Sequence, residues 1–158
     1  MIKLNFLANT FIEIQLSALV IFRKYIQVDS KKEAGGVLVG KRLKNGDVVI
    51  VCASEPTSLD IRTSFSFRKY PKSHKIFISN YQSESNGFIG FVGEWHSHPE
   101  KIPTPSKTDY KSWRKIMRNN NDDSLVFIIV GTMMTAIYYL VDGSWKEIKF
   151  NVISEGDK

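Results

Sequence analysis

Glu94-Trp95-His96-Ser97-His98-Pro99 lies near the middle of this 158-residue chain, and Ser106 and Asp109 follow it, giving the spacing H-x-H-x7-S-x2-D. Side chains alternate along an extended strand, so His96 and His98 lie on one face. Helical side chains lean towards the N-terminus of their helix, so Asp109, in the first turn of a helix predicted from Ser106, can reach back to both histidines. These residues supply three ligands for one zinc ion and leave its fourth position open, the arrangement of a hydrolytic rather than a structural site.

Each half of this pattern also has an ordinary structural interpretation. Ser106 and Asp109 form a common helix start, in which the serine caps the helix and the aspartate faces its positive end. An isolated His-x-His is equally unspecific, because paired histidines are found on surfaces and in cores. The combination of all four residues favours the metal site, and Asp109 can begin a helix and bind a metal at the same time.

A hydrolytic zinc site needs a general base close to its water molecule. The candidate is Glu33, which precedes the apolar strand Gly35-Gly36-Val37-Leu38-Val39-Gly40. Taken alone, Glu33 would be interpreted as a solvated charge in a Lys-Lys-Glu turn. Together with the histidines, we expect it at the mouth of the sheet.

Composition predicts one folded domain over residues 1–153 and a polar tail over 154–158. Hydrophobic residues make up 42% of the chain and charged residues 24%, which is typical of a globular protein. The net charge of +6 favours an acidic partner. The basic residues are spread along the whole chain without interleaved aromatic residues, so a nucleic-acid-binding groove is not expected.

Cys52 is the only cysteine, which excludes an internal disulfide and a cysteine-based zinc finger and indicates a reducing compartment. Glu13 and Gln15 interrupt the apolar N-terminal stretch before a signal-peptide core can form. No apolar run approaches the roughly 20 residues that span a bilayer. We therefore expect a cytoplasmic protein that has no membrane partner.

Apolar periodicity and turn residues predict a mixed α/β fold with a central, largely antiparallel sheet flanked by helices. The predicted helices cover residues 18–27, with Ser17 as the cap, 72–83 and 106–118. The predicted strands cover residues 6–16, 35–42, 48–53, 88–97, 124–131, 135–141 and 145–150. A polar turn is predicted at residues 29–32, and a long loop over 54–68 is expected to contain a short strand near Phe65.

Some further residues have simple predicted roles. Trp95 and Trp113 are expected in the core, Cys52 is expected to be buried and inert, and His74 lacks neighbours that would make it a metal ligand. No residue is assigned to substrate binding, although the stretch holding Arg62, Phe65, Phe67 and Arg68 is a candidate for the side of a substrate groove. The helix after the histidine motif has a basic face that is either solvated or docks an acidic tail, formed by Lys107, Lys111, Arg114, Lys115 and Arg118.

Glu33 before its Val-Leu-Val-Gly strand, together with the histidine motif, Ser106 and Asp109, resembles the JAB/MPN (JAMM) metallopeptidases. The resemblance implies a single JAB/MPN (cytidine-deaminase-like) domain. It also implies that Glu33 is the general base, that His96, His98 and Asp109 bind one Zn²⁺ per chain, and that Ser106 stabilises the oxyanion. Every position of the motif is filled, which argues against an inactive scaffold.

The resemblance also implies a class of substrate. JAMM peptidases cleave peptide or isopeptide bonds at the C-terminus of ubiquitin or ubiquitin-like proteins. This compact chain is similar to the JAB-domain isopeptidases of CBASS antiphage systems. Those enzymes act on conjugates of a CD-NTase, which is a cyclic-oligonucleotide synthase, and release it from the proteins that are joined to its C-terminal tail. Processing of a ubiquitin-like or sulfur-carrier precursor, removal of another modifier and a non-catalytic MPN interaction module are alternatives. A nuclease fits poorly, because no further carboxylates cluster for a second metal.

Overall fold

The computed structural model describes residues 1–29 and 31–153, and within them it contains three helices and ten strands. The helices are α1 (Leu16–Lys24), α2 (Pro71–Glu84) and α3 (Lys107–Asn119). The strands are β1 (Ile2–Asn5), β2 (Phe11–Ile14), β3 (Gly35–Arg42), β4 (Val48–Ala53), β5 (Ile61–Arg62), β6 (Phe67–Arg68), β7 (Gly90–Ser97), β8 (Val126–Val130), β9 (Thr135–Val141) and β10 (Ser144–Phe150).

Eight of these strands form one sheet in the order β1-β2-β4-β3-β7-β8-β9-β10, and β5 pairs with β6 in a separate hairpin. Within the large sheet, β2 and β4 are parallel, as are β7 and β8, and the other neighbouring pairs are antiparallel. The predicted mixed, largely antiparallel α/β fold is therefore confirmed.

Helices cover both faces of the sheet. Phe22 of α1 packs beside Trp95 of β7 on one face, with ring centroids 5.5 Å apart. On the other face, Trp113 of α3 stacks on Phe127 of β8 at 5.0 Å. Trp95 and Trp113 are 1% and 3% exposed, so both are core residues as predicted. Because side chains alternate along β7, His96 points away from α1, towards the face covered by α3.

The N-terminal region differs from its prediction in two ways. Residues 6–16 were expected to form one strand, but β1 and β2 form an antiparallel hairpin. Asn9 takes a positive φ of 63° in the turn, a conformation that asparagine tolerates. Ser17 is not the cap of α1, because Gln15 occupies the N-cap position and the Ser17 hydroxyl donates to the Val51 carbonyl on β4.

The segment predicted as a long loop is partly ordered by the β5–β6 hairpin. The strand predicted near Phe65 is misplaced, since Phe65 lies in the turn between the two short strands. Other bounds agree closely: β3, β4 and β9 begin and end where the sequence predicts. Cys52 lies on β4 but is only partly buried, so the expectation of full burial is wrong.

One sequence prediction falls wholly and another partly outside the described residues. They are the C-terminal tail over 154–158 and Ser30 of the predicted turn, and the domain boundary at residue 153 stays a prediction. Within residues 1–29 and 31–153, no helix has the length and apolar character that are needed to cross a membrane.

Candidate metal centre

The end of β7 and the start of α3 bring the three predicted metal ligands together. The Nε2 atoms of His96 and His98 are 3.0 Å apart. One carboxylate oxygen of Asp109 is 3.3 Å from His96 Nε2, and the other is 3.5 Å from His98 Nε2. In the described chain, these residues form the one group of three that could hold a metal ion.

The separations between the donor atoms fit a tetrahedral zinc ion. Bonds of about 2.0–2.1 Å at the tetrahedral angle place neighbouring ligand atoms about 3.3 Å apart. The two histidine nitrogens are 3.0 Å apart, and each has one of the two Asp109 carboxylate oxygens at 3.3 or 3.5 Å, so all of these separations are close to that value. The donor set of two imidazoles and one carboxylate is also that of catalytic zinc sites, which keep one position open.

Glu100 orients one of the imidazoles. Its carboxylate lies 2.8 Å from His98 Nδ1 and also accepts from the Thr104 hydroxyl at 3.2 Å. This places the ring proton on Nδ1 and turns the Nε2 lone pair towards the metal position. Burial, followed by the charge of His96, lowers the pKa of His98, which favours the neutral imidazole needed for ligation.

Asp109 begins helix α3 and faces the histidines at the same time. Its backbone N–H donates to the Ser106 hydroxyl at 3.1 Å, and its carboxylate accepts from the Ser106 N–H at 2.8 Å, which completes a capping box. Burial alone would raise the pKa of Asp109, but the hydrogen bond from His96 and the charge of His96 hold it at about 2. The carboxylate is therefore ionised, as a metal ligand must be.

Glu33 stands beside this cluster at the entrance of β3. It is 6% exposed, and its carboxylate is 3.9 Å from His98 Nε2. Its main chain is held from the β5–β6 hairpin: its N–H donates to the Thr63 carbonyl at 2.8 Å, and its carbonyl accepts from Arg62 Nε at 2.8 Å. Burial raises the pKa of Glu33 to about 7, which suits a group that takes up and releases a proton near neutral pH.

A cavity of about 480 Å³ opens onto these groups. Its lining residues are Glu33, Phe65, Ser66, Phe67, His96, His98, Pro99, Glu100, Ser106, Thr108 and Asp109. All five predicted site residues therefore share one cavity. Phe65 and Phe67 lie on its wall. Arg62 instead donates to the Glu33 carbonyl, and Arg68 is exposed and is not a lining residue, so the predicted substrate groove along this stretch stays a prediction.

Sequence reasoning missed the residues that support the site. Glu100 could have been noticed, because a carboxylate two residues after a ligand histidine is a natural partner for its second ring nitrogen. The contacts of Arg62 and Thr63 with Glu33 had no such signal. They join residues about 30 positions apart through backbone groups, which no side-chain pattern reports.

With this geometry established, comparison with known proteins gives the family. A family model described as prokaryotic homologs of the JAB domain matches residues 16–145. The match covers most of the chain, including the whole histidine motif. The chain belongs to this family.

Two curated relatives, both named CD-NTase/cGAS isopeptidase, are similar to most of the chain. One, from Escherichia coli strain TW11681, is 34% identical over 122 residues, covering 77% of this chain and 76% of the relative. The other, from Pseudomonas aeruginosa strain BWHPSA011 / Pa011, is 33% identical over 148 residues, covering 92% of each. The family and these names support a hydrolase.

A solved structure agrees with the fold. The solution structure of a protein from Desulfitobacterium hafniense superimposes with a TM-score of 0.58 at 19% sequence identity, covering 87% of this chain and 89% of that one. At this identity the similarity concerns the fold alone.

Proposed function

We propose that this protein is a zinc-dependent isopeptidase of the JAMM type. It hydrolyses the amide bond that follows the C-terminal residue of a CD-NTase or ubiquitin-like protein. The observation that carries the proposal is the pair of histidine nitrogens 3.0 Å apart with the Asp109 carboxylate oxygens 3.3 and 3.5 Å from them, and with the Glu33 carboxylate 3.9 Å from His98 Nε2. A bound Zn²⁺ would supply a Lewis acid and lower the pKa of water at its open position towards about 7.

The residues of the cavity have separate roles in the proposed reaction. His96, His98 and Asp109 hold the ion. Glu33 accepts a proton from the attacking water and delivers it to the amine that leaves, so the products are a free C-terminal carboxylate and a free amine. Burial raises the pKa of Glu33 to about 7, which allows it to act as both base and acid.

Ser106 is suited to stabilise the oxyanion that forms when water adds to the carbonyl. In the capping box its oxygen accepts a hydrogen bond from the Asp109 N–H, so its own hydroxyl proton remains available for donation. The same contact fixes the serine at the cavity wall. A pre-positioned donor of this kind stabilises developing charge without reorganisation.

The substrate class rests on the relatives and on the shape of the site. Relatives that span most of the chain are named CD-NTase/cGAS isopeptidase. A flexible C-terminal tail can add as an extended strand beside a short hairpin, with main-chain hydrogen bonds and little side-chain selection. The β5–β6 hairpin, with Phe65 and Phe67 on the cavity wall, offers such an edge. An antiphage (CBASS) setting is part of this proposal.

The test is intact-mass spectrometry of a CD-NTase C-terminal tail fused to a reporter. The fusion is incubated with the wild-type protein, with the Glu33→Ala variant and with the wild type in the presence of a chelator. We expect cleavage after the last native residue of the tail by the zinc-loaded wild type alone, while Glu33→Ala keeps its zinc and loses turnover by orders of magnitude.

Other outcomes separate the alternatives. Cleavage of a ubiquitin-like or sulfur-carrier precursor, without cleavage of the CD-NTase tail, would replace the substrate and keep the chemistry. Full turnover by Glu33→Ala would remove Glu33 from its role. A protein that binds no zinc would be a non-catalytic MPN interaction module.

A further inference from the structure

Gln27 is a buried amide outside the cavity that contacts three segments carrying site residues. It follows helix α1, is 2% exposed and is not among the residues that line the cavity. A glutamine is seldom buried this completely, because its amide then needs partners for both its N–H groups and its oxygen. Its partners show what the residue does.

Every polar group of this amide is used. Its Nε2 donates to the Lys31 carbonyl at 3.1 Å and to the Ser64 carbonyl at 2.8 Å. Its Oε1 accepts from the Ser97 hydroxyl at 3.2 Å, and the Ser97 oxygen accepts in turn from the Ala34 N–H at 2.9 Å. Since Ser97 is fully buried, its hydroxyl has no water to replace the glutamine.

The hydrogen-bond directions allow one orientation of the amide. Turning it by 180° would set its oxygen against the carbonyls of Lys31 and Ser64, which have no proton to donate. Because these two carbonyls accept only from an N–H group, Gln27 specifies the relative position of the groups it joins, beyond filling space.

Each joined segment is next to a functional residue. Lys31 is two residues before Glu33, Ser64 is next to Phe65 on the cavity wall, and Ser97 lies between the two histidines. Building on the function proposed above, we infer that Gln27 is a positioning residue. It holds the general base, the β5–β6 hairpin and the metal-binding strand in the one arrangement that permits turnover.

The first test is the Gln27→Met variant, which keeps the length of the side chain and removes every hydrogen bond. Displacement of a base by about 1 Å costs about 100-fold in rate. We therefore expect kcat on the tail–reporter fusion to fall by about 100-fold. Zinc stoichiometry should be unchanged, since His96 stays fixed by the pairing of β7 with β3 and β8, and His98 by its N–H donation to the Val130 carbonyl at 3.0 Å. The matched control is Gln15→Met, because the Gln15 side chain makes no capping hydrogen bond; it should retain wild-type kcat.

A double-mutant cycle separates positioning of the base from general damage. If Gln27 acts through Glu33, Gln27→Met should lower turnover in the wild-type background and cause no further loss in the Glu33→Gln background. An equal loss in both backgrounds would overturn the inference, because it would show that Gln27 acts independently of the base.

A second measurement does not depend on activity. In Gln27→Met, amide hydrogen exchange should accelerate at Glu33 and Ala34, whose N–H groups bond to Thr63 and Ser97, while the β8–β9 amides keep their protection. Unchanged exchange at Glu33 and Ala34 would overturn the inference. If the wild type cleaved no tail, the proposed function would be contradicted. The exchange result would still show whether Gln27 holds the backbone at Glu33 and Ala34.

If Gln27→Met does not fold, the same measurements are made on Gln27→Glu. It keeps the volume of the side chain and the acceptor for Ser97, but it has no N–H to offer to Lys31 and Ser64. The same fall in kcat, with the same local gain in exchange, is expected. Wild-type kcat in this variant would show that the contacts with Lys31 and Ser64 are dispensable and would overturn the inference.

Discussion

Asp109 shows how one side chain can serve helix formation and chemistry together. Its backbone and carboxylate close the capping box with Ser106, and both of its carboxylate oxygens face the histidines. The capping role explains why the carboxylate is already in place, because the helix start fixes it without help from a metal. Substitutions at Ser106 and Asp109 should therefore share a structural cost and differ in their functional consequence.

We predict that the free energy of unfolding falls by about 1 kcal/mol in both Asp109→Ala and Ser106→Ala, because each substitution breaks the helix cap. Asp109→Ala should also lose more than about 100-fold in zinc affinity, since even indirect partners of metal ligands account for about 10–100-fold. Ser106→Ala should keep its zinc and lose about 100–1,000-fold in kcat, the cost of one oxyanion donor. Zinc titration, urea unfolding and turnover measure the three quantities. Full zinc occupancy in Asp109→Ala would show that Asp109 is not a ligand.

Glu33 provides a prediction for the metal-free protein. Burial raises its pKa from the ordinary value of 4.5 to about 7 in the folded chain. The fold therefore holds a proton that the unfolded chain releases, and stability that is present below pH 4.5 is lost as the pH rises through 7. In Glu33→Gln this loss is absent. Without metal, we expect Glu33→Gln to gain stability relative to the wild type between pH 4.5 and 7, by at most about 3 kcal/mol. Urea unfolding of both proteins across this range measures the difference, and parallel pH profiles would contradict the prediction.

At the scale of elements, the long connection between β4 and α2 is held by a buried chain of polar groups. Ser54 Oγ accepts from the Val37 N–H at 2.8 Å and lies 2.6 Å from His74 Nδ1, and His74 Nε2 lies 2.9 Å from the Asp60 carboxylate. Asp60 also accepts from the Tyr70 N–H at 2.6 Å. This chain ties both ends of the β5–β6 hairpin region to β3 and α2. His74 is therefore an anchor for the connection through its contacts with Ser54 and Asp60.

His74→Phe should remove this anchor. The phenyl ring leaves Ser54 and Asp60 buried without their partner, and we expect a loss of about 3 kcal/mol in the free energy of unfolding. The urea midpoint should fall with an unchanged slope. Ser79→Ala, on the exposed side of the same helix, is the control and should stay within about 0.5 kcal/mol of the wild type. A midpoint that does not move in His74→Phe would show that the connection is held by its other contacts.

At the scale of the whole molecule, the candidate metal centre joins parts of the chain that are distant in sequence. His96 lies near the end of β7 and His98 directly follows that strand. Asp109 lies in the first turn of α3, and Glu33 lies two residues before β3, the strand that pairs with β7. An ion held by the first two elements ties a strand to a helix across the loop over residues 98–106. The free energy of metal binding at this site therefore also stabilises the folded chain.

Removal of zinc should lower the melting temperature in proportion to occupancy. A ligand present at 100 times its Kd stabilises the fold by about 2.7 kcal/mol, which corresponds to a shift of about 5–10 °C for a chain of this size. Differential scanning calorimetry with and without a chelator measures the shift, and added zinc should restore it. His96→Ala should melt at one temperature in both conditions. A chelator effect of equal size in that variant would place the ion elsewhere.

Much of this protein follows from local patterns in its sequence. The H-x-H alternation on a strand, the Ser-x-x-Asp helix start and the apolar runs of β3, β4 and β9 are properties of neighbouring residues, so spacing alone predicts the ligand set and the core of the fold. The turn at Asn9, the N-cap at Gln15 and the position of Phe65 differ from the prediction, because elements of two to four residues are too short to carry a periodic pattern. Asn9 and Phe65 lie in the turns of local hairpins, and the Gln15 N–H bonds to the Ile50 carbonyl on β4. Tertiary structure alone decided that Glu33 is buried beside His98, that His74 anchors the hairpin region and that Gln27 joins three segments. Each of these depends on contacts between groups far apart in the chain, whose partners exist only once the sheet has formed.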